Sequence, residues 1–243
     1  MGTGGGAGAS KGIFEAFAAE VSQPADEVSL DRAALLIAGR YRPVDILAQL
    51  ETLDAMADRY RGDLEEFLFL RLGLNGVGPR TYGRPEPSML DWVLTHRRGI
   101  PISLSVVVME LCRRIGIEAS GIGMPGHFLV QLGGQGGWYL DAFNGGRWLD
   151  EKGCEQLYTS IFGPSARFAP SFLEPVSSHQ ILARMLANLA GAFDRLGDVQ
   201  SRLWVLEFWA AVPGAPPKVL SDLASELART GRYLAAANAY QRL

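Results

Sequence analysis

Residues 97–150 read RRGIPISLSVVVMELCRRIGIEASGIGMPGHFLVQLGGQGGWYLDAFNGGRWLD, and this stretch decides the fold. Pro101 stands at the first turn of an apolar run, ISLSVVVMELCRRI, which stops at Gly116. Proline is preorganised for a first helical position and glycine ends helices, so the pattern predicts one helix over 101–115. Three strand-like runs follow, EASGIGM, HFLVQL and GWYLDAF. The glycine-rich GGQGG between the last two reads as a hairpin turn. A helix packed on an antiparallel sheet is an α+β arrangement.

The flanks read as helices. Upstream, Asp31 is placed to cap RAALLIAGRY, and Pro43 to start VDILAQLETLDAMADRY, whose Ile46, Leu47, Leu50, Leu53, Met56 and Ala57 recur at helical spacing. Asp63 precedes LEEFLFLRLG, ending at Gly73. Residues 74–87 are rich in Gly and Pro and read as a surface loop, after which Ser88 is expected to cap a helix with Asp91 three residues on. From about Ser177 the pattern is again helical, with an internal repeat. Leu189/Leu223, Ala190/Ala224, Phe193/Leu227 and Gly197/Gly231 are each offset by 34 residues. A helix–turn–helix repeat of that length, with Pro213 closing the first copy, resembles the tetratricopeptide motif; two copies are fewer than the ~3 that stand alone. The expected division is a flexible leader over 1–12, a core domain with its N-terminal helices over 13–176, and helical repeats over 177–243.

Composition narrows the function. The 243 residues suffice for a sizeable core, and 48% hydrophobic with 20% charged residues is ordinary for a soluble globular chain. A formal net charge of −3 carries no electrostatic footprint for nucleic acid or anionic lipid. No run approaches the ~18 apolar residues of a membrane span. The N-terminal MGTGGGAGASKG lacks the apolar region of a secretory signal. Two cysteines, Cys112 and Cys154, are too few for a disulfide framework, so the expected compartment is a reducing cytoplasm.

Within the deciding stretch, His127 opens one strand-like run and Asp141 closes the next. On adjacent antiparallel strands such residues can lie side by side, where a carboxylate fixes an imidazole's tautomer and raises its basicity. The pair can then activate a thiol or hydroxyl at a helix start. Set against that are plainer roles, His127 as a hydrogen-bonded core residue and Asp141 as a turn residue before Phe143-Asn144-Gly145-Gly146. A metal site using His127, Asp141 and His96 or His179 lacks any supporting spacing, and no cofactor is expected. Cys112, three turns into the helix, reads as core, and Cys154 lies out of order.

Helix start, histidine strand, aspartate strand is the chain order of papain-like and transglutaminase-like triads. RRGIPISLS (97–105), RRIGIEASGIGMPGHFLV (113–130) and LDAFNGG (140–146) resemble the SirB-like family, which joins a transglutaminase-like core to tetratricopeptide-like helices. The resemblance spans most of residues 30–243. It implies a helix on an antiparallel sheet flanked by N-terminal helices and C-terminal helical hairpins. Active transglutaminase-like enzymes open the helix with Gly-x-Cys; here that position is Gly99-Ile100-Pro101, and proline offers neither nucleophile nor backbone donor. Two further departures are Ala142 for the family's proline and Pro87 for its asparagine.

Two functions follow as expectations. The first is a non-catalytic or weakly active transglutaminase-like protein, with Pro101, Phe128 and Asn144 as binding residues and a protein or peptide partner held by the C-terminal repeats. The alternative is a hydrolase or acyltransferase for peptide or amide bonds, with Ser103 as nucleophile, His127 as base and Asp141 orienting it. Ser105 is the other nearby hydroxyl. The direction of the Ser103 hydroxyl discriminates the two.

Overall fold

The structure is a computed structural model that describes residues 5–133 and 138–242. Contacts divide the chain into two compact units, Asp45–Ser177 and the pair of segments Met1–Val44 with Ser178–Leu243. The first two helices group with the C-terminal ones.

The segmented unit contains α1 (Gly5–Val21), α2 (Leu30–Tyr41) and, later in the chain, four further helices. The flexible leader expected over 1–12 is helical from Gly5 on, and residues 1–4 lie outside the described part. Glycine-rich sequence is a poor helix former, so the helix is held by tertiary packing: Phe14 and Phe17 set their rings 5.4 and 4.7 Å from that of Phe208. The cap of α2 is Ser29 rather than Asp31, which sits buried in the first turn.

The continuous unit runs through α3 (Ile46–Ala57), a π-helical turn (Glu66–Arg71), β1 (Asn75–Gly76), α4 (Pro79–Tyr82), α5 (Leu90–His96), β2 (Arg98–Gly99), α6 (Pro101–Ile115), β3 (Ala119–Ile122), β4 (Leu129–Leu132), β5 (Tyr139–Asp141), β6 (Arg147–Leu149) and α7 (Glu151–Phe162). Asp45, not Pro43, caps α3 by accepting the Ala48 N–H at 3.1 Å. Asp63 does cap its segment, accepting from the Glu66 N–H at 2.8 Å.

Residues 74–87 are not a surface loop throughout. Leu74, Val77 and Pro87 are buried, and β1 pairs in parallel with β2 just before α6. A 3-10 turn over Glu86–Ser88 occupies the place where Ser88 was expected to cap, so α5 starts at Leu90 without a side-chain cap.

The predicted central helix is α6. It is buried nearly all round, as its Val106-Val107-Val108 run and Leu111-Cys112 require. It ends at Gly116 in the left-handed region (φ 76°), where the Ile117 N–H reaches the Cys112 carbonyl. Arg113 and Arg114 in its last turn both bond the buried Glu110 carboxylate, and Arg114 also bonds Asp54 of α3 at 2.7 Å. The antiparallel sheet has the order β3-β4-β5-β6. All of β4 and β5 is buried, because α6 packs against β3 and β4 while Ile122, Met124, Leu129, Tyr139 and Leu149 form a second cluster with Cys154 of α7. The fourth strand, β6, escaped the sequence reading, being three residues with only Leu149 buried. All of the GGQGG turn except Gly133 lies outside the described residues.

After Ser177 the chain returns to the first unit as α8 (Ser178–Leu196), α9 (Val199–Ala211), α10 (Pro217–Arg229) and α11 (Tyr233–Tyr240). The 34-residue offset is structural. Leu189 and Leu223 are both buried on the first helix of a hairpin, and Gly197 and Gly231 both adopt positive φ (68° and 78°) after it. Arg202 of α9 ties the hairpins together through Asp194 of α8 and Glu226 of α10, the latter at 2.8 Å.

Candidate functional site

Two tight turns deliver the histidine and the aspartate. Met124-Pro125-Gly126-His127 is a β-turn closed by the His127 N–H on the Met124 carbonyl at 3.1 Å. Proline at its second position and Gly126 at φ 76° in its third are the type II signature. A side chain at Gly126 would also run into Ile161 and Phe162. His127 therefore leaves the turn just ahead of β4 instead of lying on a strand, as the alternation had suggested. Asp141 is the last residue of β5.

The two side chains meet: His127 Nε2 lies 2.9 Å from Asp141 Oδ1. Asp141 is also the head of the following turn. Its Oδ1 accepts the Phe143 and Asn144 backbone N–H groups at 3.2 Å each, and its Oδ2 accepts the Asn144 side-chain amide at 2.6 Å. The contact to His127 and the turn role weighed for this residue thus coincide in one carboxylate. Burial pushes the Asp141 carboxyl up, but the hydrogen bond and charge of His127 and the bonds from Asn144 outweigh it and hold the group below the usual carboxylate value.

Around the pair the packing is close. The Phe143 ring meets the His127 ring edge-on at 6.1 Å and Tyr82 at 5.6 Å. The Phe143 carbonyl accepts the Gly76 N–H at 3.0 Å, so β1 is bonded to the loop that Asp141 heads. Gly145 and Gly146 take positive φ, and a side chain at Gly146 would collide with the Phe69 ring. His127 itself is 6% exposed and Asp141 1%.

Ser103 is not brought to this pair. Its buried hydroxyl donates to the Pro87 carbonyl at 2.6 Å, with the Ile100 carbonyl at 3.2 Å, and accepts the Ile100 N–H at 3.1 Å. Among the described residues it makes no hydrogen bond to His127. The serine staples the start of α6 to the turn before α5, and Gly99 leaves the room: a Cβ there would lie 2.7 Å from Ser103 Oγ. Ser105 is buried and its hydroxyl has no hydrogen-bond partner among the described residues. Pro101 is the first residue of α6, and both it and Phe128 are buried; Asn144, of the expected binding set, bonds Asp141.

The thiols are equally withdrawn. Burial pushes Cys112 up to about 12. Burial, with Asp150, Asp141 and Glu151 nearby, does the same to Cys154. At neutral pH neither presents a thiolate. His96 stacks on Trp92 at 4.3 Å, and His179 bonds the Val21 carbonyl at 3.0 Å. Among the described residues no three His, Cys, Asp or Glu side chains gather as metal ligands, and no helix is long and apolar enough to cross a membrane.

The sequence reading missed Gly76, Tyr82, and the Phe143 carbonyl and ring. Asn-Gly at 75–76 is an ordinary turn signal, and nothing local says that it abuts a loop 67 residues away. The Asn144 contact was legible, since Asp followed three residues later by Asn and two glycines is a pattern for side-chain-headed turns.

A family model described as the transglutaminase-like superfamily matches residues 19–187. A UPF0162 protein of Xylella fastidiosa (strain 9a5c) is 37% identical over 134 residues, which is 54% of this chain and 47% of that protein. The F-box only protein 21 of Homo sapiens is 31% identical over 118 residues, 45% of this chain and 18% of its own. The matched stretch thus spans about half the length of the bacterial relative. Menin, in a crystal structure that reveals its binding site for the Mixed Lineage Leukemia protein, has a TM-score of 0.44 at 13% identity over 95% of this chain and 68% of its own, too slight a likeness to carry the fold. With the family model covering well over half of the residues, the chain belongs to the transglutaminase-like superfamily.

Proposed function

We propose that this chain is a non-catalytic transglutaminase-like protein. In this reading the His127–Asp141 pair is a structural network, and the C-terminal hairpins, tetratricopeptide-like in their 34-residue spacing, recruit a protein partner. The observation that carries it is the Ser103 hydroxyl, committed to Pro87 and Ile100. A general base needs a nucleophile within hydrogen-bond reach. Pro101 occupies the position of the family's cysteine, and the two cysteines of the chain are buried and protonated. Paired helical hairpins supply a surface suited to peptides.

Turnover tests the reading. Ammonia release from glutaminyl peptides and hydrolysis of chromogenic peptide amides should not exceed the background set by His127→Ala. Turnover that the wild type shows and His127→Ala lacks overturns it.

A further inference from the structure

The unit formed by the terminal segments carries an open cavity of about 500 Å³. Among the described residues its lining includes Lys11, Arg40, Arg232 and Arg242, against one carboxylate, Glu207. An excess of three positive charges is thus gathered at one place in a chain whose formal net charge is −3.

The charges are poorly compensated from within. Glu207 is engaged by Arg232, whose Nη1 donates to its Oε1 at 3.0 Å. Arg242 donates to a neutral acceptor, the Ala210 carbonyl, at 2.8 Å. Lys11 has an exposed partner, Glu15, at 3.7 Å. Arg40 is half-buried, with its guanidinium carbon 5.5 Å from the Trp204 ring centroid, and among the described residues it has neither a hydrogen bond nor an ion pair. A guanidinium held by stacking keeps its N–H donors for an outside acceptor, and a carboxylate is the acceptor that matches its planar fork. Phe14, Phe208 and Leu223 give the same cavity an apolar side.

We infer that this cavity binds an acidic segment of a partner protein, with aspartate or glutamate side chains on Arg40 and its neighbouring cations and an apolar side chain against Phe14. The inference rests on the partner-recruiting part of the function proposed above and names the chemistry of the partner. The volume falls within the ~300–1,000 Å³ of ligand clefts and cavities, far more room than inorganic phosphate fills. The apolar side fits a peptide better than a bare anion.

The test is fluorescence anisotropy of the whole chain with a labelled peptide of glutamates around a central leucine. Binding should saturate and weaken as salt rises. It should fall about tenfold or more in Arg40→Gln, the loss of one charge-assisted pair. The double variant Lys11→Glu with Arg242→Glu, at surface positions, should weaken it at least as far, with circular dichroism unchanged. A peptide with glutamine for every glutamate should bind at least about tenfold more weakly. Equal binding by wild type and both variants, no binding by wild type, equal binding of the glutamine peptide, or tighter binding of inorganic phosphate than of the peptide each overturns the inference. If turnover is also absent, such a result removes the acidic partner and leaves the non-catalytic reading standing; turnover with intact peptide binding does the reverse.

Discussion

His127 presents Nε2 to Asp141 Oδ1 at 2.9 Å inside the protein, and three other donors, all from Phe143 and Asn144, converge on the same carboxylate. In the function proposed above, this is a histidine–carboxylate pair without a nucleophile beside it. The carboxylate that orients the imidazole also shapes the loop carrying Phe143, whose ring borders the imidazole and whose carbonyl holds Gly76.

Removing that carboxylate should unfold more than a catalytic site. Asp141→Ala removes the buried acceptor of His127 and the acceptor of the more exposed Phe143 and Asn144 donors; a buried donor that loses its acceptor costs about 1–3 kcal/mol, while the exposed ones can turn to water. Urea unfolding is expected to show a loss of about 1–3 kcal/mol. The effect depends on pH with a definite sign. The Asp141 carboxyl is lowered in the folded state, so its stabilisation is complete above the ordinary value near ~3.9 and disappears as the pH falls through the lowered one. The stability difference between wild type and variant should shrink as the pH falls below about 4.

Two serines on one helix should respond in opposite ways. Ser103→Ala removes a buried hydroxyl that bonds Pro87 and Ile100, and should cost about 1–2 kcal/mol. Ser105→Ala removes a buried hydroxyl without a partner and should leave stability within about 0.5 kcal/mol or raise it. Thermal melts of the two variants side by side give the comparison.

Gly76→Ala is expected to be as damaging as a core substitution. Its Cβ would lie 2.5 Å from the Phe143 carbonyl oxygen and 2.7 Å from the ring, so either β1 or the loop headed by Asp141 must shift. Overpacking of this kind costs about 1–3 kcal/mol. Gly146→Ala adds a side chain at φ 83° against Phe69 and should do at least as much harm. Chemical denaturation of both, with Gly78→Ala as a control that meets nothing within 4 Å, measures the effect.

Both thiols should be silent until the protein unfolds. With Cys112 and Cys154 buried and pushed up to about 12, a colorimetric disulfide reagent at pH 8 should titrate no thiol in the native protein and both after denaturation. Reaction of one thiol under native conditions would show that its burial is not maintained.

Much of this was readable in the chain and some was not. Pro101 and Gly116 bracket α6 because first-turn proline and terminal glycine act locally, without reference to the rest of the fold. The pairing of His127 with Asp141 was anticipated from their order, though the histidine comes from a type II turn, where Pro125-Gly126 overrides the apolar alternation. The loop over 74–87 was misjudged because Gly and Pro signal a change of direction, not exposure; Leu74, Val77 and Pro87 turn inward. The commitment of Ser103 to Pro87 spans 16 residues and depends on tertiary packing that no local pattern encodes. Burial of Phe128 likewise follows from the layers above and below β4.

The most direct test of a transglutaminase-like core without a nucleophile is covalent labelling with serine- and cysteine-directed electrophiles, mapped by mass spectrometry, on wild type, Ser103→Ala and His127→Ala. The expected result is no modification at Ser103, Cys112 or Cys154 in any of the three folded proteins. Labelling of Ser103 in the wild type that disappears in both variants would contradict the account and establish a Ser103–His127–Asp141 enzyme.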